Sequence, residues 1–381
     1  MKVLIVCNNA YYRGNGLCTA VLTLYERLHE AGIEARIMAC ANPDPDGPQP
    51  EYPLGHFKFP LFENLIYASG FRYAAADRKL MRQAIAWADV VHLEEGFPIE
   101  GITARIAQRM GKPCVGSYHL FTENILANLG MKHEWLINHA VNLWWRKAVY
   151  DRCAIVHCPT FTVRDYLRRH HFRSELRVVS NGISLQSPCH EQYEVQQHPY
   201  LILCTGRFAN EKSQGTLLQA MRYSRHSHDI QLHFAGKGPK ARKYQRQAGR
   251  LVRDGVLTHP PVFGFYDSAT LAGLCRQAYL YIHCAWVEVE GLSCVEALRE
   301  GAVPVIAKGR CTATAQFALD DRSTFPQCDA RALAQRIDWW IEHPAERAEA
   351  SRRYADLATH YDVHDSTAAL IAMYQDAVKK R

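Results

Sequence analysis

The stretch Glu288-Val-Glu-Gly-Leu-Ser-Cys-Val-Glu296 decides the fold of this chain. The residues before it, 279–286, form an apolar run typical of a strand, and helical spacing of apolar residues begins near Gly291, Leu292 and Ser293. The first backbone N–H groups of such a helix have no partners within it and favour an anionic ligand. We therefore expect Glu288 at the end of a strand and Glu296 one turn into a helix, both facing one crevice. Two hydroxyl-binding carboxylates beside a phosphate-binding helix end suit a nucleotide sugar.

Glutamates at this spacing are also common on solvated helices. The interpretation of the two glutamates as ligand-binding residues therefore depends on a second group of residues upstream. The run 200–206 predicts a buried strand, and it is followed by Arg207 and Lys212 before a helix expected near Ser213. Both cations could reach one diphosphate through charge-assisted hydrogen bonds. A similar strand, 230–236, leads into a turn that contains Gly236 and Gly238. Ligands of open α/β sheets bind outside the carboxyl ends of such strands.

Predicted strands alternate with helical stretches along most of the chain, which indicates an α/β protein with parallel sheets and right-handed crossovers. The length of 381 residues allows two domains. A polar segment, 184–198, is the candidate linker, and only helical patterns follow Arg331. The predicted strands are 2–7, 34–39, 88–93, 113–119, 154–158 and 176–180 before the linker, and 200–206, 230–236, 279–285 and 303–308 after it.

These motifs together resemble the retaining glycosyltransferases of family 4. The matching pieces are the two glutamates, the Gly206-Arg207 and Lys212 element, the turn 234–239, Ser180-Asn-Gly-Ile183 and the loop Arg13-Gly-Asn-Gly16. Ser184 departs from the family, in which many members have an acidic residue after Asn-Gly-Ile.

The resemblance implies the GT-B fold, in which two Rossmann-like domains face a cleft. Residues 1–183 would bind the acceptor and 199–363 the nucleotide sugar, and the last helix, about 364–381, would cross back onto the first domain.

The first domain contributes further candidate residues. Gly14 and Gly16 follow the first predicted strand and permit close backbone approach to a phosphate. A lone histidine is more often structural, but the resemblance implies that His119 touches the donor sugar beside the acceptor. Glu123 and Asn124 follow in the same loop as candidate acceptor contacts.

The resemblance implies sugar transfer with retention, in which the leaving diphosphate takes the acceptor proton. The charge on that group would be stabilised by Arg207, Lys212, the helix end at Gly291 to Ser293 and Gly16. We expect Glu288 to bind sugar hydroxyls and Glu296 the ribose diol. These cations make a metal or other cofactor unnecessary, so Asp44-Pro-Asp46, although an Asp-x-Asp pattern, is interpreted as a turn.

The positive charge of the chain is local. Residues 101–180 hold 12 Lys and Arg against 5 Asp and Glu, an excess equal to the net charge of +7 for the whole chain. A predicted helix, 131–152, carries Trp144 and Trp145 beside Arg146 and Lys147, which suits an anionic membrane surface. The alternative is that the tryptophans pack in the core and the charges are solvated. A nucleic-acid partner is disfavoured because no binding motif accompanies the charge.

Three stretches, 60–74, 119–124 and 157–160, are similar to bacterial diacylglycerol glucosyltransferases. That resemblance implies transfer of a hexose, glucose from UDP-glucose, to a lipid or lipid-linked glycan at the cytoplasmic face of the cell membrane. Three alternatives stay open: a nucleotide-sugar epimerase of the same fold, a transferase with a soluble or polysaccharide acceptor, and a catalytically idle membrane scaffold.

The chain has no apolar segment of 18 or more residues, so we expect no membrane-spanning helix. Residues 1–7 are too short for a signal peptide. The 13 cysteines include no Cys-x-x-Cys pair, which favours reduced, buried thiols over a zinc site or a disulfide framework.

Overall fold

The computed structural model describes residues 1–11, 16–58, 72–128, 135–185, 195 and 198–380, and the chain forms two compact units. The first unit comprises 1–122, 134–181 and 364–381, and the second comprises 123–133 and 182–363. Residues 123–133 are thus grouped with the second unit, whereas the expected first domain included them. The expected linker, 184–198, lies mostly outside the described residues.

The first unit is built on a parallel sheet of seven strands. Its central strands are almost entirely apolar and buried, as expected for a parallel sheet covered on both faces. In spatial order the strands are β3 (Tyr52–Leu54), β2 (Glu34–Cys40), β1 (Lys2–Val6), β6 (Val90–Leu93), β7 (Cys114–Ser117), β8 (Ile155–Cys158) and β9 (Glu175–Val178). A separate antiparallel pair is formed by β4 (His56–Phe57) and β5 (Tyr73–Ala74).

Helices of the first unit begin at recognisable sequence signals. The Asp77 side chain accepts hydrogen bonds from two backbone N–H groups at the start of α2, and Pro98 occupies the first turn of α3. The helices are α1 (Gly16–Glu30), α2 (Arg78–Trp87), α3 (Pro98–Arg109), α5 (Trp135–Ala148) and α6 (Phe161–Arg169), joined by the C-terminal α13 (Val363–Lys379). Between α3 and α5, most of α4 (Thr122–Asn128) belongs to the second unit.

The second unit has a six-stranded parallel sheet and a short parallel pair beyond it. The spatial order of the sheet is β12 (Val262–Gly264), β11 (Ile230–Ala235), β10 (Tyr200–Thr205), β13 (Leu280–His283), β15 (Val303–Lys308) and β17 (Thr324–Pro326). The pair is β14 (Val287–Glu288) and β16 (Cys311–Thr312). The helices are α7 (Gly215–Ala220), α8 (Ala241–Arg253), α9 (Ser268–Gln277), α10 (Leu292–Arg299), α11 (Ala330–Glu342) and α12 (Pro344–Ala358).

The predicted α/β class, the parallel sheets and the long strands are confirmed. Seven short strands of the described residues were missed, because a segment of two or three residues has too little alternation to reveal a strand: β3, β4, β5, β12, β14, β16 and β17. None of the described helices has the length and apolar character needed to cross a bilayer. The described cysteines are free thiols, and all but Cys328 are buried.

Candidate active site

Glu288 lies at the end of a strand, as expected, but this strand is the short β14 that follows β13 rather than the predicted strand 279–285. Its Oε2 accepts a hydrogen bond from Lys212 Nζ, and His283 Nε2 lies 3.3 Å from the same oxygen. Burial alone would raise the pKa of Glu288, but the charge of Lys212 and the hydrogen bond from His283 outweigh it and lower that pKa to about 2. Glu288 is therefore an ionised acceptor of hydrogen bonds at neutral pH.

Buried polar side chains lie behind this carboxylate. His283 Nε2 also lies 3.3 Å from Thr314 Oγ1, and His283 Nδ1 lies 3.5 Å from the Tyr281 hydroxyl. That hydroxyl is 2.7 Å from Thr205 Oγ1 and 3.2 Å from Ser293 Oγ. The sequence reasoning missed Tyr281, His283 and Thr314. The available signal was the alternation on β13, which puts Tyr281 and His283 on one face of the strand.

The helix that carries the second glutamate begins as the sequence predicts. Gly291 has φ of +85°, and a Cβ there would lie 2.3 Å from Thr314 Oγ1, so only glycine fits this corner. Leu292 and Ser293 open α10, whose first-turn N–H groups have no acceptor within the helix. Glu296 is exposed, and within the described residues no hydrogen bond or ion pair joins it to another predicted site residue.

Both predicted phosphate-binding cations have carboxylate partners in this structure. Arg207 Nη2 donates to Glu211 Oε1 at 2.7 Å, and the Glu211 side chain is only 4% exposed. Lys212 pairs with Glu288, and the helix expected near Ser213 begins at Gly215. A diphosphate at this place would therefore take the cations from carboxylates to which they are already bonded.

The turns that follow β10 and β11 are in close backbone contact. A Cβ at Gly236 would lie 2.1 Å from the Gly206 carbonyl oxygen, and one at Gly238 would lie 2.6 Å from the Phe208 carbonyl oxygen. Phe208 N donates to Lys237 O at 3.0 Å. The two glycines thus permit a close backbone contact that holds the segment carrying Arg207.

In the first unit, His119 lies two residues beyond the end of β7, and its Nε2 is 3.0 Å from Glu94 Oε2. Burial alone would raise the pKa of Glu94, but the charge of His92 and the hydrogen bond from His119 lower it to about 2. The ionised Glu94 accepts a hydrogen bond from the Nε2–H group of His119, so it holds the ring in one orientation.

A buried chain of hydrogen bonds lies beside this pair, with His92 Nδ1 3.4 Å from Glu94 Oε1. Tyr374 OH lies 2.7 Å from His92 Nδ1, and His92 Nε2 lies 2.7 Å from Ser117 Oγ. Ser117 Oγ is in turn 2.8 Å from His157 Nδ1. Burial lowers the pKa of His157 to about 3, so this ring is neutral. The sequence reasoning did not foresee this chain, because its members are far apart in sequence.

The remaining candidate residues of the first domain lie either at the start of a helix or outside the described residues. Glu123 and Asn124 are half-buried in the first turn of α4. Gly16 is the first residue of α1, and Gly14 lies outside the described residues.

The predicted membrane-surface residues of α5 divide into two groups. Trp144 is 44% exposed and Lys147 is exposed, as expected. Trp145, in contrast, is 2% exposed, so the expectation that it faces a membrane is wrong. Its ring packs edge-on against Phe97 and Tyr118, with centroids 5.9 and 5.8 Å apart, because consecutive helical residues point about 100° apart.

Arg146 is also less available to a membrane than predicted. It is half-buried, and Nη1 lies 3.3 Å from the carbonyl oxygens of both His170 and His171. Its Nε is 3.5 Å from Asp151. The guanidinium therefore ties the end of α5 to the end of α6.

The interpretation of Asp44-Pro-Asp46 as a turn is confirmed. Asp46 N donates to Asp44 Oδ1 at 3.1 Å, and Gly47 N donates to Asp44 O at 3.2 Å. Across the described ranges, no three His, Cys, Asp or Glu side chains are grouped as metal ligands.

The fold is that of the GT-B glycosyltransferases. Sucrose-phosphate synthase from Thermosynechococcus elongatus matches with a TM-score of 0.73 at 16% identity, covering 100% of both chains. Anabaena Alr3699/HepE in complex with UDP-glucose matches with a TM-score of 0.70 at 14% identity, covering 99% of this chain and 100% of its own.

Sequence comparison gives the family. The model for glycosyltransferase family 4 matches residues 14–187, and that for glycosyl transferases group 1 matches residues 188–357. The alpha-monoglucosyldiacylglycerol synthase of Streptococcus pneumoniae is 22% identical over 323 residues, which cover 81% of this chain and 71% of the relative. The chain thus carries a glycosyltransferase family 4 domain followed by a glycosyl transferases group 1 domain, which confirms the resemblance seen in its sequence.

Proposed function

We propose that this glycosyltransferase moves glucose from UDP-glucose to a hydroxyl of a lipid or lipid-linked glycan, with retention and without a metal. The observation that carries the proposal is the cluster around Glu288, in which an ionised carboxylate, Lys212 and the start of α10 lie close together. A sugar diphosphate needs hydroxyl acceptors next to groups that neutralise phosphate, and this cluster supplies both.

Donor binding would exchange partners within this cluster. The diphosphate takes Lys212 and Arg207, and the sugar hydroxyls donate to the Glu288 carboxylate that Lys212 releases. Charge-assisted bonds to phosphate replace charge-assisted bonds to carboxylates, and the sugar hydroxyls replace Lys212 as the partners of Glu288. UDP-glucose is supported by the Anabaena relative, which was solved with that nucleotide sugar. Glu296 is assigned to the ribose diol.

In the chemical step, the acceptor oxygen bonds to the anomeric carbon while the bond from that carbon to the diphosphate oxygen breaks. The acceptor proton passes to the leaving diphosphate on the same face of the sugar, which retains the anomeric configuration. Arg207, Lys212, the α10 N–H groups and the Gly16 backbone stabilise the charge that builds on the leaving group. His119, oriented by Glu94, is assigned to the donor sugar.

The lipid acceptor is supported by two observations. The Streptococcus pneumoniae relative is named for a glucosyldiacylglycerol product. In addition, α5 exposes apolar side chains with Lys147 nearby: Trp135, Leu136, Ile137, Leu143 and Trp144 are 71%, 63%, 40%, 37% and 44% exposed. Apolar and basic residues on one helix are typical of a segment lying in an anionic membrane surface. We therefore propose peripheral binding at the cytoplasmic face.

The test is an assay with UDP-glucose and diacylglycerol in vesicles containing phosphatidylglycerol. We expect glucosyldiacylglycerol with the anomeric configuration of the donor, identified by NMR, and UDP release only when the acceptor is present. Conversion of UDP-glucose to another nucleotide sugar without acceptor would favour an epimerase. Glucose transfer to an added polysaccharide but not to the lipid would favour a non-lipid acceptor.

A second arm of this assay tests metal independence. We expect turnover to survive EDTA, because two cations and a helix end neutralise the diphosphate. Complete loss on chelation, restored by Mg²⁺ or Mn²⁺, would contradict this part of the proposal.

A further inference from the structure

Three arginines surround a hollow in the surface of the first unit. Arg105 and Arg109 are one turn apart on α3 and exposed, and Arg152 is half-buried in the 3₁₀ turn 150–152. With Gln108 they line a volume of about 370 Å³, within the range of small-molecule sites.

The positive charge at this hollow is not compensated. Within the described part of the chain, no carboxylate oxygen lies within 4.0 Å of the three guanidinium groups, whereas Arg177 of the same unit pairs with both Glu175 and Asp376. Like charges grouped in this way repel one another. The C-terminal end of the α3 dipole favours one cation in the last turn of that helix. It does not explain why three guanidinium groups lie around one hollow.

Arg152 is held in place and retains bonding capacity. Its Nη1 donates to Gln108 Oε1 at 2.6 Å, which fixes the guanidinium beside the hollow. Its Nε is buried and has no hydrogen-bond partner among the described residues. A buried N–H donor without a hydrogen-bond partner costs free energy. An anion that accepts hydrogen bonds from this guanidinium would recover that free energy.

We propose that Arg105, Arg109 and Arg152 form a binding site for a phosphate group, separate from the residues assigned to the sugar donor. The planar guanidinium donates two parallel hydrogen bonds to phosphate oxygens, and three such groups match the several oxygens and negative charge of one phosphate. The phosphate belongs either to a soluble diphosphate or to the headgroup of an anionic lipid.

Calorimetric titration with pyrophosphate tests the soluble source. The protein carries Arg207→Gln and Lys212→Gln, so that the assigned donor site no longer contributes. We expect binding that weakens by about tenfold or more when Arg105→Gln and Arg109→Gln are added. The matched control is Arg246→Gln/Arg250→Gln on α8, an exposed pair with the same helical spacing.

Flotation with phosphatidylcholine vesicles, with and without phosphatidylglycerol, tests the lipid source in the otherwise unchanged chain. A selective loss of phosphatidylglycerol-dependent binding in Arg105→Gln/Arg109→Gln identifies the lipid phosphate. Selective loss of pyrophosphate binding identifies a soluble ligand. Unchanged binding in both assays, or an equal loss in the α8 control, would overturn the site. Glucose transfer from UDP-glucose to a detergent-dispersed acceptor is measured separately, so the proposed function can fail or hold independently.

Discussion

At the scale of single residues, the ion pair between Lys212 and Glu288 compensates a buried charge. Lys212 and His283 compensate the buried carboxylate of Glu288. Breaking a buried pair by removing one partner leaves an uncompensated charge, which costs far more than the pair itself contributes. The same two side chains would separate only when the diphosphate and the sugar hydroxyls replace them as partners.

Removal of either cation should therefore lower turnover strongly. We expect Lys212→Ala and Arg207→Ala each to decrease kcat by roughly 10²–10³, the typical effect of one lost preorganised donor. Steady-state kinetics with UDP-glucose measures this, with circular dichroism to verify folding. Lys243→Ala on the exposed face of α8 is the control and should keep full activity. Near-normal turnover with either change would remove these residues from the diphosphate site.

A second group of carboxylates makes stability depend on pH. Glu95 and Glu100 are buried, and both lie beside Asn8 Nδ2, at 3.0 and 3.1 Å. Burial is the main cause that raises the pKa of each, and the two carboxylates also repel one another. A glutamate in the unfolded chain has a pKa of about 4.3, so as the pH rises above this value the unfolded state releases its protons before the folded state does. The contribution of these two carboxyl groups to the free energy of unfolding is therefore fully present below that pH. It is lost as the pH rises through their folded-state pKa values.

Glu95→Gln should flatten this dependence. The amide oxygen of glutamine can still accept from Asn8, but the group no longer ionises, so we expect a gain on the order of 1–3 kcal/mol in the free energy of unfolding at pH 8 and little change at pH 4. Urea unfolding across this range measures it. Glu34→Gln, at an exposed position, is the control. An unaltered pH profile in Glu95→Gln would show that this carboxyl is not protonated in the native state.

At the scale of an element, α5 carries two adjacent tryptophans with different surroundings. Trp145 fills the core between Phe97 and Tyr118, whereas Trp144 lies on the face that includes Ile137, seven residues earlier. The helical period separates them, although the residue type is the same.

Substitution of one tryptophan should lower stability, and substitution of the other should weaken membrane binding. We expect Trp145→Ala to lower the free energy of unfolding by about 3–5 kcal/mol, because it leaves a large cavity. Trp144→Ala should alter stability by about 0.5 kcal/mol or less but reduce flotation with vesicles that contain phosphatidylglycerol. Urea unfolding and flotation of both variants provide the comparison. If Trp144→Ala floats like the unaltered chain, the membrane assignment of α5 loses its support.

At the scale of the whole molecule, the C-terminal helix completes the first unit. Leu370, Met373, Tyr374 and Ala377 of α13 are buried in the same cluster as residues of β1, β6 and β8. Arg177 Nη1 donates to Asp376 Oδ2 at 2.7 Å, and Lys380 pairs with Glu175. The N-terminal part of the chain therefore lacks part of its core until the last residues are present.

Met373→Ala tests this dependence without truncating the chain. Met373 is 1% exposed, so we expect its truncation to lower the free energy of unfolding by about 2–5 kcal/mol. Gln375→Ala, two residues away on the exposed side, should stay within about 0.5 kcal/mol. Urea unfolding of both variants measures the difference. Equal stability of the two variants would show that α13 contributes little to the unit.

The sequence by itself determined the α/β class, the long strands and the strand-to-helix corner at Gly291. These features are local: apolar runs bury in a parallel sheet, and glycine is favoured where the backbone turns with a φ of +85°. It also marked Arg207, Lys212 and Glu288 as chemically important, because charged residues after buried strands collect at one edge of the sheet.

Only the tertiary structure decided which of these groups are partners. Lys212 and Glu288 are 76 residues apart, and Tyr374 reaches His92 across 282 residues. Sequence periodicity describes which face of its own element a residue occupies, but not what packs against that face. The burial of Trp145, the pairing of Glu94 with His119 and the three-arginine hollow depend on neighbours from distant segments. Long-range packing sets those neighbours, because each buried group must find its partner among the surfaces that the fold brings together.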